Sequence, residues 1–368
     1  MKKKINNALL LLILLAIIFG QLPRLYIEYY IGFPVHILDA LVAIFALVNL
    51  PAIFGKRKTR LFRVWFVFLG IAWIGFAASP HSGVFGFLHL LRFTAYTGFA
   101  AAVFKIGKSI SIKKFIYDGL TAVSAFVAVL GLIQYRLLPD LRDLQYIGWD
   151  DHHFRLASTY LDPAFAGIII VFGMLLVAEK LTRGFRWKWG IILAFEFVAL
   201  LLTFSRSSML ALAAGTFVLT WQRGLAKYFI YTVLALVAGL AIVPKQTGEG
   251  VNLFRTYSVT AKIDNTKEAL GIVRENSFLG VGFNNLCALR GGEISNSCSG
   301  ADNVFAFAAA TTGLVGLVVF VYLLYLFSGA INTPIFAALL VHAQFTNTFF
   351  YNFAMAYFIL LLVVHAKR

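Results

Sequence analysis

Long apolar runs alternate with short polar breaks along this chain, and the runs are of membrane-crossing length. A helix rising about 1.5 Å per residue needs roughly 20 apolar residues to cross a hydrocarbon core about 30 Å thick. Such runs lie near 5–21, 34–54, 63–79, 83–104, 115–135, 160–179, 189–204, 207–222 and 228–244. A polar stretch from Lys245 to about Asp302 follows, and then Asn303–Ala366, which holds no Lys, Arg, Asp or Glu and has room for about three more helices. The pattern predicts an all-α, polytopic bundle of about twelve transmembrane helices, one transmembrane domain over 1–368 with a large loop, 245–302, before the last helices. Within that loop Ala269, Leu270, Ile272 and Val273 share one face of a short amphipathic helix, which Asp264 is placed to cap and the Gly280-Val-Gly282 turn to follow. The first run, after Met-Lys-Lys-Lys, lacks a small-residue cleavage site and is expected to stay as a span.

Composition agrees: 60% of the residues are hydrophobic and only 13% charged, too little polar surface for a water-soluble domain of this size. A net charge of +16 would fit a nucleic-acid partner, but the Lys and Arg residues fall in short clusters between apolar runs rather than on one face. The basic loops carry Lys2–Lys4, Lys56–Arg63, Lys105–Lys114, Lys180–Lys188, Arg223 with Lys227, and Lys367 with Arg368. Retention of Lys and Arg on the cytoplasmic side places both termini inside. The acid-richer loops, with Glu28, Asp140, Asp143, Asp150, Asp151, Glu249, Asp264, Glu268, Glu275 and Glu293, then face out. Cys287 and Cys298 fall in the larger outer loop, where they can form a disulfide or remain inert thiols.

Charges inside spans cost roughly 2.5–3.5 kcal/mol each on insertion scales, so each needs a partner or a task. His89 and Arg92 stand on the fourth run, Asp39 with His36 near the outer end of the second, and Glu196 in the seventh. Pairing of Arg92 with Glu196 or Asp39 would serve packing alone. Two arginines at outer helix ends point to chemistry. Arg155 precedes the sixth run, and Arg206 sits in Thr203-Phe-Ser-Arg-Ser-Ser208, among hydroxyls of Ser205 and Ser207 that suit phosphate oxygens. A guanidinium fork binds phosphate bidentately, although arginine also snorkels as a plain anchor. Asp302, in Gly300-Ala-Asp-Asn303, is a candidate base or orienting group for a hydroxyl, or simply a helix cap. No metal site is expected; His152-His153 beside Asp150-Asp151 is the one weak candidate, and either histidine is an alternative base.

These residues resemble the O-antigen ligase and polymerase family of bacterial membrane glycosyltransferases. The resemblance runs from Gly131 onward, through Gly131-Leu-Ile-Gln-Tyr135, Arg155 with Asp162-Pro163, Thr203-Phe-Ser-Arg-Ser207, Phe278-Leu-Gly-Val-Gly-Phe-Asn284, and Asp302-Asn303 followed after nine residues by Gly313-Leu-Val-Gly316. Ligases usually begin that last motif with His-Asn, so Asp302 departs from the pattern. The resemblance implies a GT-C-like bundle in the bacterial cytoplasmic membrane with its active site extracytoplasmic. It implies metal-independent, inverting transfer of a glycan from undecaprenyl diphosphate to an acceptor hydroxyl on a glycan, glycolipid or protein, in the assembly of lipopolysaccharide or another surface polysaccharide. No cofactor is implied, and the other partners are membrane lipids. Arg155 and Arg206 would hold the diphosphate with Ser205 and Ser207, and Asp302 would serve the acceptor. Asn303, Gly313 and Gly316 would support the site, while Arg92 would hold the carrier lipid or pair internally. A lipid-linked oligosaccharide flippase or other transporter is the alternative, although no internal repeat of the kind transporters use is evident.

Overall fold

The computed structural model describes residues 2–31, 35–53, 59–107, 109–147, 149–244, 248–290, 298 and 300–365. These residues are helical with no strand, apart from a single bridge between Asp140 and His153. Lys56, Arg57, Lys58, Lys108, Lys245, Glu293, Lys367 and Arg368 lie outside the described residues.

Each apolar run becomes a helix. The chain begins with α1 (Lys2–Phe19), α2 (Leu22–Ile31), α3 (Ile37–Val48), α4 (Leu50–Ile53), α5 (Arg60–Ala78), α6 (Val84–Ile106) and α7 (Ile110–Leu137). It continues with α8 (Pro163–Arg183), α9 (Trp187–Leu202), α10 (Arg206–Gln222) and α11 (Ala226–Ile242). The loop region supplies α12 (Tyr257–Glu275) and α13 (Leu286–Arg290), and the last apolar stretch forms α14 (Val304–Ala330), α15 (Thr333–His342) and α16 (Asn352–His365). Among the described residues α5, α6, α7, α8 and α14 are each long and apolar enough to cross a membrane. The chain is a polytopic, all-helical membrane protein.

Local chemistry explains where the helices differ from the expected spans. The first run turns by 84° between α1 and α2 at Gly20. Its φ of +53° suits glycine, and a Cβ there would lie 2.6 Å from the Thr159 carbonyl oxygen, so no side chain fits. The second run splits after Asn49, because Pro51 has no amide to continue α3. The loop helix starts at Tyr257, not at Asp264; Asp264 lies within α12, 3.5 Å from Lys267, so its expected capping role is not the one observed. The longest late helix, α14, is broken at Gly313 (φ 68°, ψ −176°), where the loop ending α12 docks: Leu314 N–H donates to Ser277 O at 2.8 Å and Val281 N–H to Ala310 O at 2.9 Å.

The core is built around α16, whose residues from Asn352 to Val363 are all buried. This helix packs against α6, α7 and α8, and Tyr357 donates from its hydroxyl to Leu120 O on α7 at 3.0 Å. At one end of the bundle Glu179 gathers Arg183 (2.6 Å) and Asn332 (2.9 Å). The opposite end carries the polar segments between α7 and α8 and between α11 and α14, and is here called the loop end.

Charges within the bundle divide into two kinds. Arg92 Nε donates to Asp39 Oδ2 at 2.6 Å, and Tyr96 (2.9 Å) and Asn352 (3.3 Å) donate to the other oxygen of that carboxylate. Glu196 does not pair with Arg92. It is fully buried on α9, and neither of its carboxyl oxygens has a hydrogen-bond partner among the described residues.

Candidate functional site

The reversal between α9 and α10 positions both arginines. Phe204 takes a left-handed conformation (φ 48°), Thr203 Oγ1 accepts from Ser205 N–H at 3.1 Å, and Ser205 Oγ accepts from Ser208 N–H at the start of α10. Arg206, the first residue of α10, is thereby fixed at the loop end. Its Nη1 donates to the Leu253 and Arg255 carbonyls at 3.1 Å each, and its Nη2 to Ser258 Oγ at 2.7 Å. Arg155 Nε donates to the Thr203 carbonyl at 3.0 Å, so the two guanidinium groups flank one turn. The segment bearing Arg155 is pinned by Leu156 N–H to Leu202 O (2.9 Å) and Ala157 N–H to Gln134 Oε1 (2.9 Å). Asp162 ends it as the cap of α8, accepting from Ala164 N–H and Phe165 N–H, with Pro163 at the first helical position.

Asp302 and Asn303 have separate jobs. Asn303 caps α14, accepting from Phe305 N–H (2.9 Å) and Ala306 N–H (3.1 Å), and donates to Gln344 Oε1 at 3.1 Å. Asp302 is therefore free of the cap. Its carboxylate accepts from Lys262 Nζ at 2.6 Å, the same ammonium reaches the Phe345 carbonyl, and its backbone N–H donates to Asn265 Oδ1 at 3.0 Å.

Electrostatics tie these pieces into one cluster. Burial first, and then the nearby Arg255 charge, lower the Arg155 guanidinium to about 10; Asp162, Asp150 and Arg206 act on it as well. It stays charged at neutral pH. Asp150 is raised by burial first and then by Asp162, and also feels Lys262 and Asp302. Thus Arg155, Arg206 and Asp302 are brought to one end of the bundle around Asp150, Asp162, Arg255 and Lys262. Arg92, with its Nε committed to Asp39, is hydrogen-bonded to a different group of residues.

His152, also in this region, is 6% exposed, and neither ring nitrogen has a hydrogen-bond partner among the described residues. Burial, and next the Arg155 charge, lower it to about 4. Among the described residues no group of three or more His, Cys, Asp or Glu gathers as a metal site would require. Cys287 and Cys298 are joined by a disulfide beside Arg290, whose Nη1 donates to the Cys298 and Gly300 carbonyls at 2.8 and 2.9 Å.

Sequence reasoning missed Arg255, Lys262 and His342. A signal existed for the first two: they are bases in a loop assigned to the base-poor side, where the usual charge bias gives them no reason to be. His342 gave none, because a single histidine in an apolar run resembles any buried one.

Residues 189–321 match the family model described as O-antigen ligase. Over that stretch the chain is similar to the O-antigen ligases. No curated protein matches the chain. The matched residues include Arg206, Arg255, Lys262, Asp302, Asn303, Gly313 and Gly316, whereas Arg155 and His342 lie outside them. These two join the matched stretch through Thr203 and through Ser207 and Ser208. That similarity supports a membrane glycan ligase or polymerase type of role.

Proposed function

We propose that this protein is a membrane glycosyltransferase that moves a glycan from undecaprenyl diphosphate to an acceptor hydroxyl at the outer face of the bacterial cytoplasmic membrane. What supports this reading is that Arg155 and Arg206 flank one turn at the loop end, beside a stretch that matches the O-antigen ligase model, with Asp302 held by Lys262 at the same end. Placing that end outside follows from the basic loops at the other end.

In this mechanism the acceptor oxygen attacks the anomeric carbon, inverting it. The bond to the diphosphate oxygen breaks with its electron pair on the phosphate. Arg155 and Arg206 stabilise that developing charge, Arg206 exchanging carbonyl partners for phosphate oxygens. Arg255 and Lys262 add to the same positive field. Asp302 aligns the attacking hydroxyl or takes its proton, and no step needs a metal. Asn303, Gly313 and Gly316 hold the segment that presents Asp302.

Arg155→Ala and Arg206→Ala test the reading. Each is expected to insert normally while lipid-linked glycan accumulates, with transfer reduced about a hundred- to thousandfold, the usual loss for one preorganised donor to a developing oxyanion. Normal transfer in both variants would remove the diphosphate assignment. Movement of the carrier between leaflets without a new glycosidic bond would make the protein a transporter.

A further inference from the structure

Beneath Arg206 lies a hydrogen-bonded chain that the mechanism above leaves unused. His342, fully buried at the end of α15, has Nδ1 2.6 Å from Thr348 Oγ1 and Nε2 3.3 Å from both Ser207 Oγ and Ser208 Oγ. Thr348 Oγ1 also lies 3.0 Å from the Thr346 carbonyl; when its proton goes there, it accepts from His342 and Nδ1 carries the ring proton. Nε2 is then an acceptor. Ser208 gives its proton to the Ala164 carbonyl at 3.3 Å, which also lies beside the ring, and Ser205 serves Ser208 at 2.8 Å. In that proton order Ser207, whose Oγ also lies 3.2 Å from Ser205 Oγ, donates to Nε2.

We propose that His342, held by Thr348, turns the Ser207 hydroxyl so that its oxygen lone pairs face the site and receive the attacking hydroxyl of the acceptor. Ser207 is half-buried, adjoins Arg206, and has its own proton engaged. An oxygen so arranged is a poor ligand for diphosphate, which needs donors, and a good one for a sugar or glycolipid hydroxyl, which offers a proton. Donation to His342 also polarises the Ser207 oxygen as an acceptor. Ser207 thus binds the acceptor substrate, and His342 is a positioning residue acting through it. Asp302, already paired with Lys262, need not hold the acceptor alone. This proposal rests on the glycosyltransferase reading and reassigns Ser207 from the diphosphate to the acceptor side.

The test uses full-length protein in nanodiscs, with two separate measurements. One is binding of undecaprenyl diphosphate; the other is steady-state transfer between lipid-linked glycan and envelope acceptor, both extracted from a strain lacking the protein. Ser207→Ala and His342→Phe are expected to raise the acceptor KM about tenfold, as for loss of one buried hydrogen bond, with undecaprenyl diphosphate affinity unchanged. His342→Gln, whose amide oxygen can accept from Ser207, should recover most of the loss. Weakened diphospholipid binding with an unchanged acceptor KM would make Ser207 a diphosphate ligand and overturn the proposal. So would a loss in kcat alone, or no recovery in His342→Gln. Should His342→Phe fail to insert, Ser207→Ala decides the matter. If the wild-type protein neither binds undecaprenyl diphosphate nor transfers glycan, the glycosyltransferase reading itself fails, an outcome distinct from all of these.

Discussion

Gly313→Ala is the substitution whose cost can be worked most directly from the structure. Gly313 has φ 68° and ψ −176°, a region closed to side chains, and entering it costs a non-glycine residue on the order of 1–3 kcal/mol. A Cβ there would lie 2.0 Å from the Phe278 carbonyl oxygen and 2.6 Å from Leu279 N, both backbone atoms that no rotamer change can move. The docked loop must retreat. That breaks the hydrogen bonds from Leu314 to Ser277 (2.8 Å) and from Val281 to Ala310 (2.9 Å), at about 1 kcal/mol each. The sum is about 3–5 kcal/mol, and the unfolding midpoint should fall on the order of 10 °C. Transfer should fall with it, because the first half of α14 starts at the Asn303 cap and carries Asp302 beside it. Gly329→Ala, in the same helix with nothing within 4 Å, is the control and should leave the midpoint unchanged or slightly higher. The assay is thermal unfolding of purified protein in detergent followed by scattering or fluorescence. Equal midpoints for the two variants would refute the close-approach reasoning.

Three further outcomes are expected. Asp302→Asn should change the midpoint little, since its ion pair with Lys262 is partly exposed (side chains 30% and 39%) and such pairs contribute below about 1 kcal/mol. Its transfer rate should nevertheless fall, and unchanged turnover would leave Asp302 as an ion-pair partner only. His152, lowered from 6.5 to about 4, binds fewer protons folded than unfolded between those values, so its contribution to stability is full above pH 6.5 and is lost as pH falls toward 4. His152→Phe should therefore lose less stability than wild type between pH 7 and 4.5, and parallel midpoint curves would show that the ring is not buried neutral. Reductant should lower the wild-type midpoint but not that of the Cys287→Ser, Cys298→Ser double variant, since the bond closes a loop of 11-residue separation and restricts the unfolded chain. Equal responses to reductant would exclude that effect.

The helical bundle was legible from hydropathy because a membrane imposes one rule everywhere: buried backbone must be satisfied within a helix, and its side chains must be apolar. Each apolar run accordingly became helical, and Arg206 and Asn303 stood out as polar residues at run boundaries. What the pattern could not give was who answers whom. That Arg92 chooses Asp39 over Glu196, and that Asn303 takes the cap and leaves Asp302 to Lys262, depend on contacts between segments 53 and 40 residues apart. The same holds for Thr348 and His342, each unremarkable in its own run, and for their link to Ser207, which only the packing of α10 against α15 brings about. Period and polarity are properties of a segment, whereas hydrogen-bond partners and close backbone approaches are properties of the assembled bundle, and so tertiary structure alone decided them.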